Sequence, residues 1–321
     1  MKRRDFLKKS ALAAGTIAIP VIVPASALGK NGFTAANDRI TMAVIGAGSQ
    51  GRSNMNGFVR NKDLQIIAVC DVDEQRVKRS QGALWRYYEN QDCKIYSDFR
   101  KLMDKEEFDT ASIAVPDHWH MLLYTYFAEK KIDIYGEKPL VRKIEEGKKV
   151  VKTVTDNNII WQTGSWQRSR PEFRKACELV ANGVIGKVEK IEVGLPDFQS
   201  DMGMPEIQEP PKEVDYDFWL GPAPYVPFRG VLHWDWRWIM NYSGGQLTDW
   251  CGHHVDIALW SMGLDNTGPV EISGNATFKE NSLYDIPFTF DIDMKFENGL
   301  PVKVANKSKL PHGQGVCWYG E

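Results

Sequence analysis

The stretch Thr41-Met-Ala-Val-Ile-Gly46-Ala-Gly48-Ser-Gln-Gly51-Arg52 places an apolar run directly before a Gly-x-Gly-x-x-Gly turn, and a helical pattern follows. Gly46 permits a sharp turn out of the strand, Gly48 lets a pyrophosphate approach the backbone, and Gly51 allows the helix to pack closely on the sheet. The N–H groups at the helix start then face the phosphates. We therefore predict a dinucleotide-binding unit, with Ser49 and Gln50 in its phosphate loop.

A second apolar run, Leu64-Gln-Ile-Ile-Ala-Val-Cys70, ends at Asp71. This acid lies near the offset of about 20 residues at which such folds bind the ribose hydroxyls. A carboxylate here favours the free 2′-hydroxyl of NAD and repels the 2′-phosphate of NADP. We expect NAD as the cofactor, with NADP disfavoured. An ordinary strand–turn–helix with tight glycines is the alternative interpretation.

The first 27 residues have the features of an export signal. A charged segment with a twin arginine, Lys2-Arg3-Arg4, precedes a modestly apolar run and a small-residue cleavage site at Ala25-Ser26-Ala27. That run is too short to span a bilayer comfortably, so we expect no stable membrane anchor, although an N-terminal anchoring helix is the alternative. The pattern predicts folded export by the twin-arginine machinery to the periplasm, with residues 28–38 as a linker.

The net charge indicates which binding partners are disfavoured, and the cysteine pattern indicates the state of the thiols. The formal charge is −2, and residues 1–27 contain five basic residues and one acid, so the chain without them carries −6. That balance argues against nucleic acid and anionic membranes as partners. The five cysteines are scattered with no Cys-x-x-Cys pair, which favours free thiols over a disulfide framework or a zinc site.

Residues 39–165 alternate β-rich runs with helical patterns, as in a doubly wound parallel sheet. The predicted strands are Ile40–Ile45, Leu64–Cys70, Thr110–Val115, Ile132–Tyr135 and Ile159–Thr163. The predicted helices are Gln50–Arg60, Asp73–Tyr88, Asp98–Asp104, His120–Lys130 and Glu145–Asp156. Ligands bind at the carboxyl ends of such strands, so Pro116, His120 and Glu137 become candidate cofactor contacts beside the glycine turn.

Residues 166–321 predict a second, α+β domain with a mostly antiparallel open sheet. A helix over Pro171–Ala181 is followed by longer alternating strands at Lys187–Leu195, Val270–Phe278, Phe288–Phe296 and Leu300–Asn306. Asn298-Gly299 favours a type I′ hairpin turn. The Pro- and Trp-rich insert over Pro196–Tyr242 predicts irregular structure over the cleft. The fold class is α/β, an N-terminal Rossmann sheet joined to this second domain.

Two motifs carry groups suited to proton chemistry. Lys138, in Glu137-Lys138-Pro139, can hold a substrate oxygen, and its bond to Pro139 can be cis. A solvated lysine in an exposed loop is the alternative. A glycine turn then opens a helix on which Asp249, His253 and Asp256 share one face, spaced for a proton relay.

Two other interpretations of the second motif stay open. Polar caps near a helix terminus are one of them. A metal site using His253 and His254 is the other, and it is disfavoured because adjacent helical positions point about 100° apart. We expect no metal.

Arginines and tryptophans of the second domain suggest a ligand surface. Indole faces stack on sugar C–H faces, and guanidinium groups pair with hydroxyls or carboxylates. We expect Trp236 and Arg237 at the mouth of a cleft beside Lys138, with Trp166 and Arg168 approaching from the opposite wall. A packed tryptophan-rich loop is the alternative.

The chain resembles the glucose–fructose oxidoreductase / inositol dehydrogenase / MocA family over residues 39–321, because it carries the motifs of that family in the same order. The shared features are the glycine turn, Asp71, Pro116 with His120, Glu137-Lys138-Pro139 and Asp249-x-x-x-His253-x-x-Asp256. The resemblance implies that Lys138, Asp249 and His253 form the catalytic group, with Asp249 orienting His253. It also implies sugar or polyol substrates, and dimers or tetramers built through the open sheet of the second domain.

The leader and the tracts Leu220–Pro224 and Trp236-Arg237-Trp238 resemble the exported branch of that family. Members of this branch usually continue past a tract like Gly315–Gly320, so a C-terminally truncated chain is expected. Export also implies tightly held NAD. We predict hydride transfer at a secondary hydroxyl of a sugar, polyol or sugar derivative. The alternatives are an NAD-dependent glycosidase that works through a transient keto-sugar, and a non-catalytic sugar-binding protein.

Overall fold

The computed structural model describes residues 34–198 and 201–321. The predicted signal peptide over residues 1–27, and the predicted linker up to residue 33, lie outside the described residues. Residues 34–39 include a short 3-10 helix, Ala36–Asp38. Residues 40–321 form one compact unit, which contains all strands among the described residues.

Six parallel strands form the first sheet, in the order β3-β2-β1-β4-β5-β6. They are β1 (Ile40–Ile45), β2 (Leu64–Cys70), β3 (Lys94–Tyr96), β4 (Thr110–Ile113), β5 (Asp133–Gly136) and β6 (Trp161–Thr163). The connecting helices are α1 (Ser49–Phe58), α2 (Glu74–Tyr88), α3 (Phe99–Lys105), α4 (His120–Glu129) and α5 (Ile144–Asn157). The strand order reverses at β1, so the expected ligand edge of this Rossmann sheet lies beside the glycine turn.

Helices cover both faces of the first sheet, which explains why its strands read as nearly continuous apolar runs. Ala43 and Ile45 of β1 belong to one buried cluster, together with Phe127 of α4. Met42 and Val44 face the opposite way and pack with residues of α1 and α2 in a second cluster. Both clusters are needed to bury the sheet, and the second includes Ala47 of the glycine turn.

The second sheet has five strands in the order β11-β7-β10-β9-β8. They are β7 (Val188–Leu195), β8 (Glu271–Thr277), β9 (Thr289–Lys295), β10 (Pro301–Asn306) and β11 (Gly315–Gly320), and only the β7–β10 pair is parallel. The helices of this half are α6 (Pro171–Ala181), α7 (Tyr216–Leu220) and α8 (Gly245–Ser261). The predicted mostly antiparallel sheet is confirmed.

One face of the second sheet is apolar and the other is polar. Ile191 and Val193 of β7 pack in a buried cluster with Ala258 of α8. On the opposite face, Lys303 pairs with Asp291 at 2.6 Å and with Asp293 at 3.3 Å. Helix α8 is therefore fixed to the sheet by its apolar side, which leaves its first turns available to the cleft.

The insert between β7 and α8 is irregular, as predicted, but it has a core of its own. Apart from α7, its described part contains a 3-10 helix at Asp235–Trp238. Trp219, Trp236 and Trp238 are buried in an apolar cluster with Tyr242. Trp234 is instead half exposed. The packed-loop interpretation therefore holds for Trp236 and Trp238 but not for Trp234 or Trp166.

Two local predictions were wrong. The three-residue strand β3 was missed, because Lys-Ile-Tyr is too short to show an alternating pattern. The Asn298-Gly299 turn is not type I′, since Gly299 has a φ of +82° while Asn298 has no positive φ. Phe296 and Leu300 instead flank a three-residue connection closed by a 2.9 Å bond from Gly299 N to Phe296 O. None of the described helices is long and apolar enough to cross a membrane.

Candidate active site

A cleft opens between the strand ends of the first sheet and the second half of the chain. Its empty space, including the part that is open to solvent, is about 1210 Å³. From the first half, the predicted residues that line it are Gly46, Gly48, Ser49, Gln50, Asp71, Pro116, Glu137 and Lys138. From the second half they are Trp236, Arg237 and Asp249. Residues of the glycine turn therefore line the same cleft as Lys138 and Asp249.

The glycine turn fits a dinucleotide pyrophosphate. Gly46 has a φ of +91°, and a Cβ there would lie 2.2 Å from the carbonyl oxygen of Ala114. A Cβ on Gly51 would lie 1.9 Å from the carbonyl oxygen of Gly46. Gly48, the N-cap of α1, would meet only the tip of the Arg76 side chain. The turn is thus closed on its protein side and open on its cavity side, where the first N–H groups of α1 emerge.

Asp71 is held at the end of β2 by two backbone donors. Its Oδ2 accepts a 2.6 Å bond from the N–H of Ala47, and its Oδ1 accepts a 2.9 Å bond from the N–H of Asp73. Burial raises the pKa of Asp71, against these two hydrogen bonds and nearby Arg76. The carboxylate is positioned to receive ribose hydroxyls from the cavity.

Glu137 is fixed by helix α1. Its Oε1 accepts bonds from Gln50 at 3.2 Å and from Asn54 at 2.9 Å, and its backbone carbonyl accepts the hydroxyl of Tyr124 at 2.8 Å. Burial raises the pKa of Glu137. These bonds set the backbone just before Lys138, whose peptide bond to Pro139 is cis.

Lys138, Asp249 and Arg237 meet at the cavity wall. The Nζ of Lys138 lies 2.5 Å from Oδ1 of Asp249, and Nε of Arg237 lies 3.8 Å from the same oxygen. Burial disfavours the ionised form of Asp249, but Lys138 and Arg237 together keep its pKa below the usual range. The result is an ionised acid shared by two cations from different parts of the chain.

Arg237 is held between two indoles. Its guanidinium carbon lies 4.1 Å from the ring centroid of Trp234 and 4.3 Å from that of Trp236. Such cation–π contacts fix a guanidinium without using up its N–H donors. The structure brings Arg237 and Trp236 to the same cavity wall as Lys138, where the sequence analysis expected them.

Two family models match the chain. One is described as oxidoreductase family, NAD-binding Rossmann fold, and covers residues 40–165. The other is the oxidoreductase family C-terminal alpha/beta domain, and it covers residues 172–309. The chain belongs to the Gfo/Idh/MocA oxidoreductase family.

Similar proteins include dehydrogenases. The chain is 26% identical over 86% of its length to the uncharacterized oxidoreductase YrbE of Bacillus subtilis, and 25% identical over 85% to myo-inositol 2-dehydrogenase of Thermotoga maritima. The matches cover 69% and 70% of those two proteins. A crystal structure of GenD2 from gentamicin A biosynthesis in complex with NAD superimposes with a TM-score of 0.67, at 16% identity, over 90% of this chain and 72% of that one.

The family's predicted third catalytic residue, His253, is set back from the cavity. Its ring packs between Trp166 and Trp250 at centroid distances of 5.3 and 5.5 Å, and its Nδ1 is buried without a hydrogen-bond partner among the described residues. Burial, and then the charge of Lys138, lower the pKa of His253 to about 3. The imidazole is therefore neutral near pH 7. Asp249 bonds to Lys138 and not to His253, which corrects the expected orientation of the pair.

Two predicted substrate residues of this Gfo/Idh/MocA chain pair with each other instead of lining the cavity. Arg168 binds both carboxylate oxygens of Asp256, at 2.8 and 2.7 Å, and also reaches Asp265 at 2.5 Å. Those carboxylates raise the pKa of Arg168 further above its ordinary value. Trp166 packs on His253 outside the cavity lining. This group fixes α8 to the chain after β6.

His120 is buried between two backbone carbonyls and does not line the cavity. Its Nδ1 lies 2.7 Å from the carbonyl oxygen of Pro139, and its Nε2 lies 3.0 Å from that of Val115. Burial lowers the pKa of His120 to about 4, so the ring carries one N–H and can donate to one carbonyl at a time. Its place is to hold the backbone around Lys138, which corrects the expected cofactor contact.

Two further side chains belong to the site, and neither was singled out from the sequence. Asn54 binds Glu137, and its spacing of four residues from Gln50 on α1 is the signal that could have indicated it. Asp117 lines the cavity and accepts a hydrogen bond from Ser243, a contact across 126 residues that no spacing rule indicates. Among the described residues, no group of three or more His, Cys, Asp and Glu is placed to hold a metal ion.

Proposed function

We propose that the protein is an NAD-dependent dehydrogenase acting on a secondary hydroxyl of a sugar, polyol or sugar derivative. The main support for this proposal is the ion pair between Lys138 and Asp249, whose Nζ and Oδ1 atoms lie 2.5 Å apart. Both residues line the cavity into which the glycine turn opens. The similarity to myo-inositol 2-dehydrogenase supports a polyol or sugar as substrate.

Each side chain has a distinct part in this reaction. Bound NAD supplies a nicotinamide that accepts a hydride from the carbon bearing the hydroxyl. Lys138 donates a hydrogen bond to the substrate oxygen, and Asp249 keeps the ammonium group in place. His253, as a neutral imidazole one helical turn beyond Asp249, is available to accept a hydrogen bond from the substrate hydroxyl once substrate fills the cleft.

The wall beside Lys138 favours a sugar over an apolar ligand. Trp236 offers a buried indole to pyranose C–H groups, and Arg237 retains N–H donors for hydroxyl or carboxylate oxygens. The side chain of Arg237 is 14% exposed, so such bonds form in a largely water-free place. We infer a pyranose or a sugar acid as the substrate class.

The insert supports tight retention of NAD, with NADP disfavoured by Asp71. Residues 213–215 pair antiparallel with the chain just after Asp71, through bonds from Glu74 N to Glu213 O at 2.9 Å and from Asp215 N to Val72 O at 3.2 Å. Val214 and Leu232 of the insert line the same cavity. Release of a bound dinucleotide from this end would require these backbone bonds to break.

The decisive experiment is a panel of sugars, polyols and glycosides assayed with full-length protein and product analysis. A keto-sugar or net NADH supports the dehydrogenase. Retention is measured separately: purified protein is denatured by heat and the supernatant is assayed for nicotinamide dinucleotide. Well-folded protein that repeatedly comes out empty and binds NAD only weakly would contradict tight retention.

A second candidate is an NAD-dependent glycosidase. It is favoured by relatives that include glycosyl hydrolase family 109 proteins. Such an enzyme oxidises a sugar carbon transiently, eliminates the aglycone, adds water and returns the hydride. It would release aglycone from a chromogenic glycoside without net NADH, which separates it from the dehydrogenase in the same panel.

Compartment and assembly extend the proposal. The twin arginine and cleavage site of residues 1–27 support export by the twin-arginine machinery to the periplasm, which fractionation of cells expressing the full chain would test. The polar outer face of the second sheet supports a homo-oligomer, because its paired charges can match a second copy. Light scattering after mutation of Lys303 to Glu would test that interface.

A further inference from the structure

Asp117 is a buried acid of the site that the proposed reaction has not yet used. It opens the 3-10 helix Asp117–Trp119 directly after Pro116, and it is 3% exposed. It lines the cavity together with Lys138, Arg237 and Asp249. An ionisable group in such a position is costly to bury unless its charge is balanced or its proton is retained.

The position of Asp117 is fixed from the second half of the chain. The hydroxyl of Ser243 donates a 2.5 Å hydrogen bond to Oδ2 of Asp117, and Ser243 is itself 2% exposed. The N–H of His118 bonds to the carbonyl oxygen of Tyr242 at 3.1 Å. Ser243 and Tyr242 immediately precede Gly244-Gly245, where α8 begins. Asp117 is therefore tied to the start of the helix that carries Asp249.

The charges around Asp117 are unevenly shared. Asp249 holds Lys138 directly and Arg237 at 3.8 Å, whereas the hydrogen-bond partner of Asp117 is a neutral hydroxyl. The titratable or charged side chains that face Asp117 or its own turn are those of Lys138 and Glu137 after β5, Tyr124 of α4, Arg142, Arg237, Asp249 of α8, and the flanking His118 and His120. Of the two aspartates in this cluster, Asp249 is paired with cations, whereas Asp117 has only a neutral hydrogen-bond partner.

We propose that Asp117 takes up the proton that leaves the substrate hydroxyl during oxidation, acting through Lys138 as a positioning residue for the proposed dehydrogenase reaction. In this step the carbon–hydrogen bond breaks and its electron pair leaves as hydride to NAD⁺, the oxidant. The O–H bond breaks as the carbonyl forms. Lys138, which is an ammonium group, passes one of its protons to the carboxylate of Asp117 and takes up the hydroxyl proton in its place, so its charge is unchanged. Reduction runs the same transfers backwards.

The electrostatics of the cluster agree with this role. Burial raises the pKa of Asp117 to about 7, and Asp249 raises it further while Ser243, Lys138 and Arg237 oppose the shift. The pKa values of His118 and His253 are lowered to about 3, so neither changes charge near pH 7. Asp117 can therefore exist in both protonation states at the pH of the reaction, which a proton acceptor that must reset requires.

The test compares the pH dependence of oxidation in wild type, Asp117→Asn and Ser243→Ala. Wild-type kcat/KM should rise with pH through a transition near 7, as Asp117 loses its proton. Asp117→Asn keeps the shape and can keep the Ser243 bond, so it should fold. It should lose the transition and fall about 100-fold at pH 8. Ser243→Ala removes a bond that stabilises the carboxylate, so its transition should move to higher pH while its plateau stays within a few-fold. Asp104→Asn, an exposed acid of α3, serves as the matched control.

A readout independent of turnover completes the test. In pH-difference infrared spectra of the NAD-loaded protein, the protonated-carboxyl band near pH 6 should lose the component that titrates near pH 7 in Asp117→Asn. A transition that persists in Asp117→Asn, or that does not move in Ser243→Ala, would overturn the role of Asp117 while the dehydrogenase stands. A wild type that oxidises no sugar at any pH would overturn the proposed function and this role with it.

Discussion

The ammonium nitrogen of Lys138 lies 2.5 Å from Oδ1 of Asp249, although 111 residues separate the two in the chain. Lys138 follows the fifth strand of the first sheet, and Asp249 lies on the helix that covers the second. Both side chains are largely buried, at 14% and 12% exposure. Removal of Asp249 leaves the charge of Lys138 uncompensated in a poorly solvated place, which costs several kcal/mol in comparable sites, whereas removal of Lys138 leaves Asp249 with Arg237 at 3.8 Å. The ion pair therefore links the two halves of the chain across the cleft and also fixes the position of the Lys138 ammonium group.

Lys138→Ala should reduce kcat by at least ~100-fold, because the hydrogen-bond donor to the substrate oxygen is lost. Lys149→Ala, an exposed lysine of α5, should keep wild-type turnover. Steady-state kinetics with the best substrate of the panel measures both. Near-native turnover in Lys138→Ala would remove this side chain from the mechanism.

The glycine turn offers a matched pair of substitutions within one segment. Gly46→Ala forces a Cβ to 2.2 Å from the carbonyl oxygen of Ala114 at a φ of +91°, so it should destabilise the protein by about 1–3 kcal/mol and weaken NAD binding. Gly57→Ala in α1 meets nothing within 4 Å and should stabilise by about 0.5–1 kcal/mol. Urea unfolding reports both, and equal effects at the two sites would contradict the close packing of the turn.

Asp71→Ser should shift the cofactor preference toward NADP. The carboxylate is fixed by the N–H groups of Ala47 and Asp73, so its charge faces the ribose from a set position. Loss of that charge should raise the ratio of NADP to NAD affinity by about tenfold, or ~1.4 kcal/mol. Once an unfolding curve has shown that the variant is folded, fluorescence titrations with NAD and with NADP measure this ratio of affinities. An unchanged ratio would mean that another group selects the cofactor.

The first sheet was predictable because its signals are local. The buried strands β1 and β2 match their predicted bounds to the residue, since each is one apolar run closed by a turn or an acid. Helix α6 begins at a proline and ends before Asn182-Gly183, and it too matches. Short β3 escaped because three residues cannot show a period.

The site was predictable only where a motif fixes both position and partner. Lys138, Asp249 and Arg237 were expected in one cleft and lie in it. Arg168 and Asp256 were expected to contact substrate but pair with each other outside the cavity lining, because a sequence does not show that two opposite charges will neutralise each other. For the same reason the sequence did not indicate the role of Asp117, since its hydrogen-bond partner Ser243 is 126 residues away in the second half of the chain.

Because of His254, the free energy of unfolding of the wild type should fall at acidic pH by more than that of a variant that lacks this imidazole. His254 is 4% exposed, its Nδ1 faces Gln167 Oε1 at 3.2 Å, and burial lowers its pKa to about 4. The unfolded chain binds a proton below pH ~6.5 while the native ring stays neutral. Stability is therefore lost as pH falls from 6.5 towards 4.

The measurement compares His254→Leu with wild type by urea unfolding at pH 7.5 and pH 5. The stability difference between the two proteins should shrink by roughly 2 kcal/mol at the lower pH, since every other titrating group is common to both. A difference that is constant with pH would show that the native imidazole titrates normally.

Arg237 and Arg168 should separate catalysis from stability when each is replaced by Met. Arg237 lines the cavity, and its Nε is buried without a hydrogen-bond partner among the described residues. Arg237→Met keeps the apolar contact with the indoles but removes the N–H donors. The kcat/KM for a sugar should therefore fall about 10- to 100-fold, as for a lost charged hydrogen bond of 1.5–3 kcal/mol.

Arg168 forms ion pairs with Asp256 and Asp265 and is about one-third exposed. Arg168→Met should leave kcat/KM within about threefold and lower stability by at most about 1 kcal/mol, because partly exposed ion pairs contribute little. Paired kinetics and unfolding curves decide the matter, and a larger kinetic loss in Arg168→Met than in Arg237→Met would return Arg168 to the substrate site.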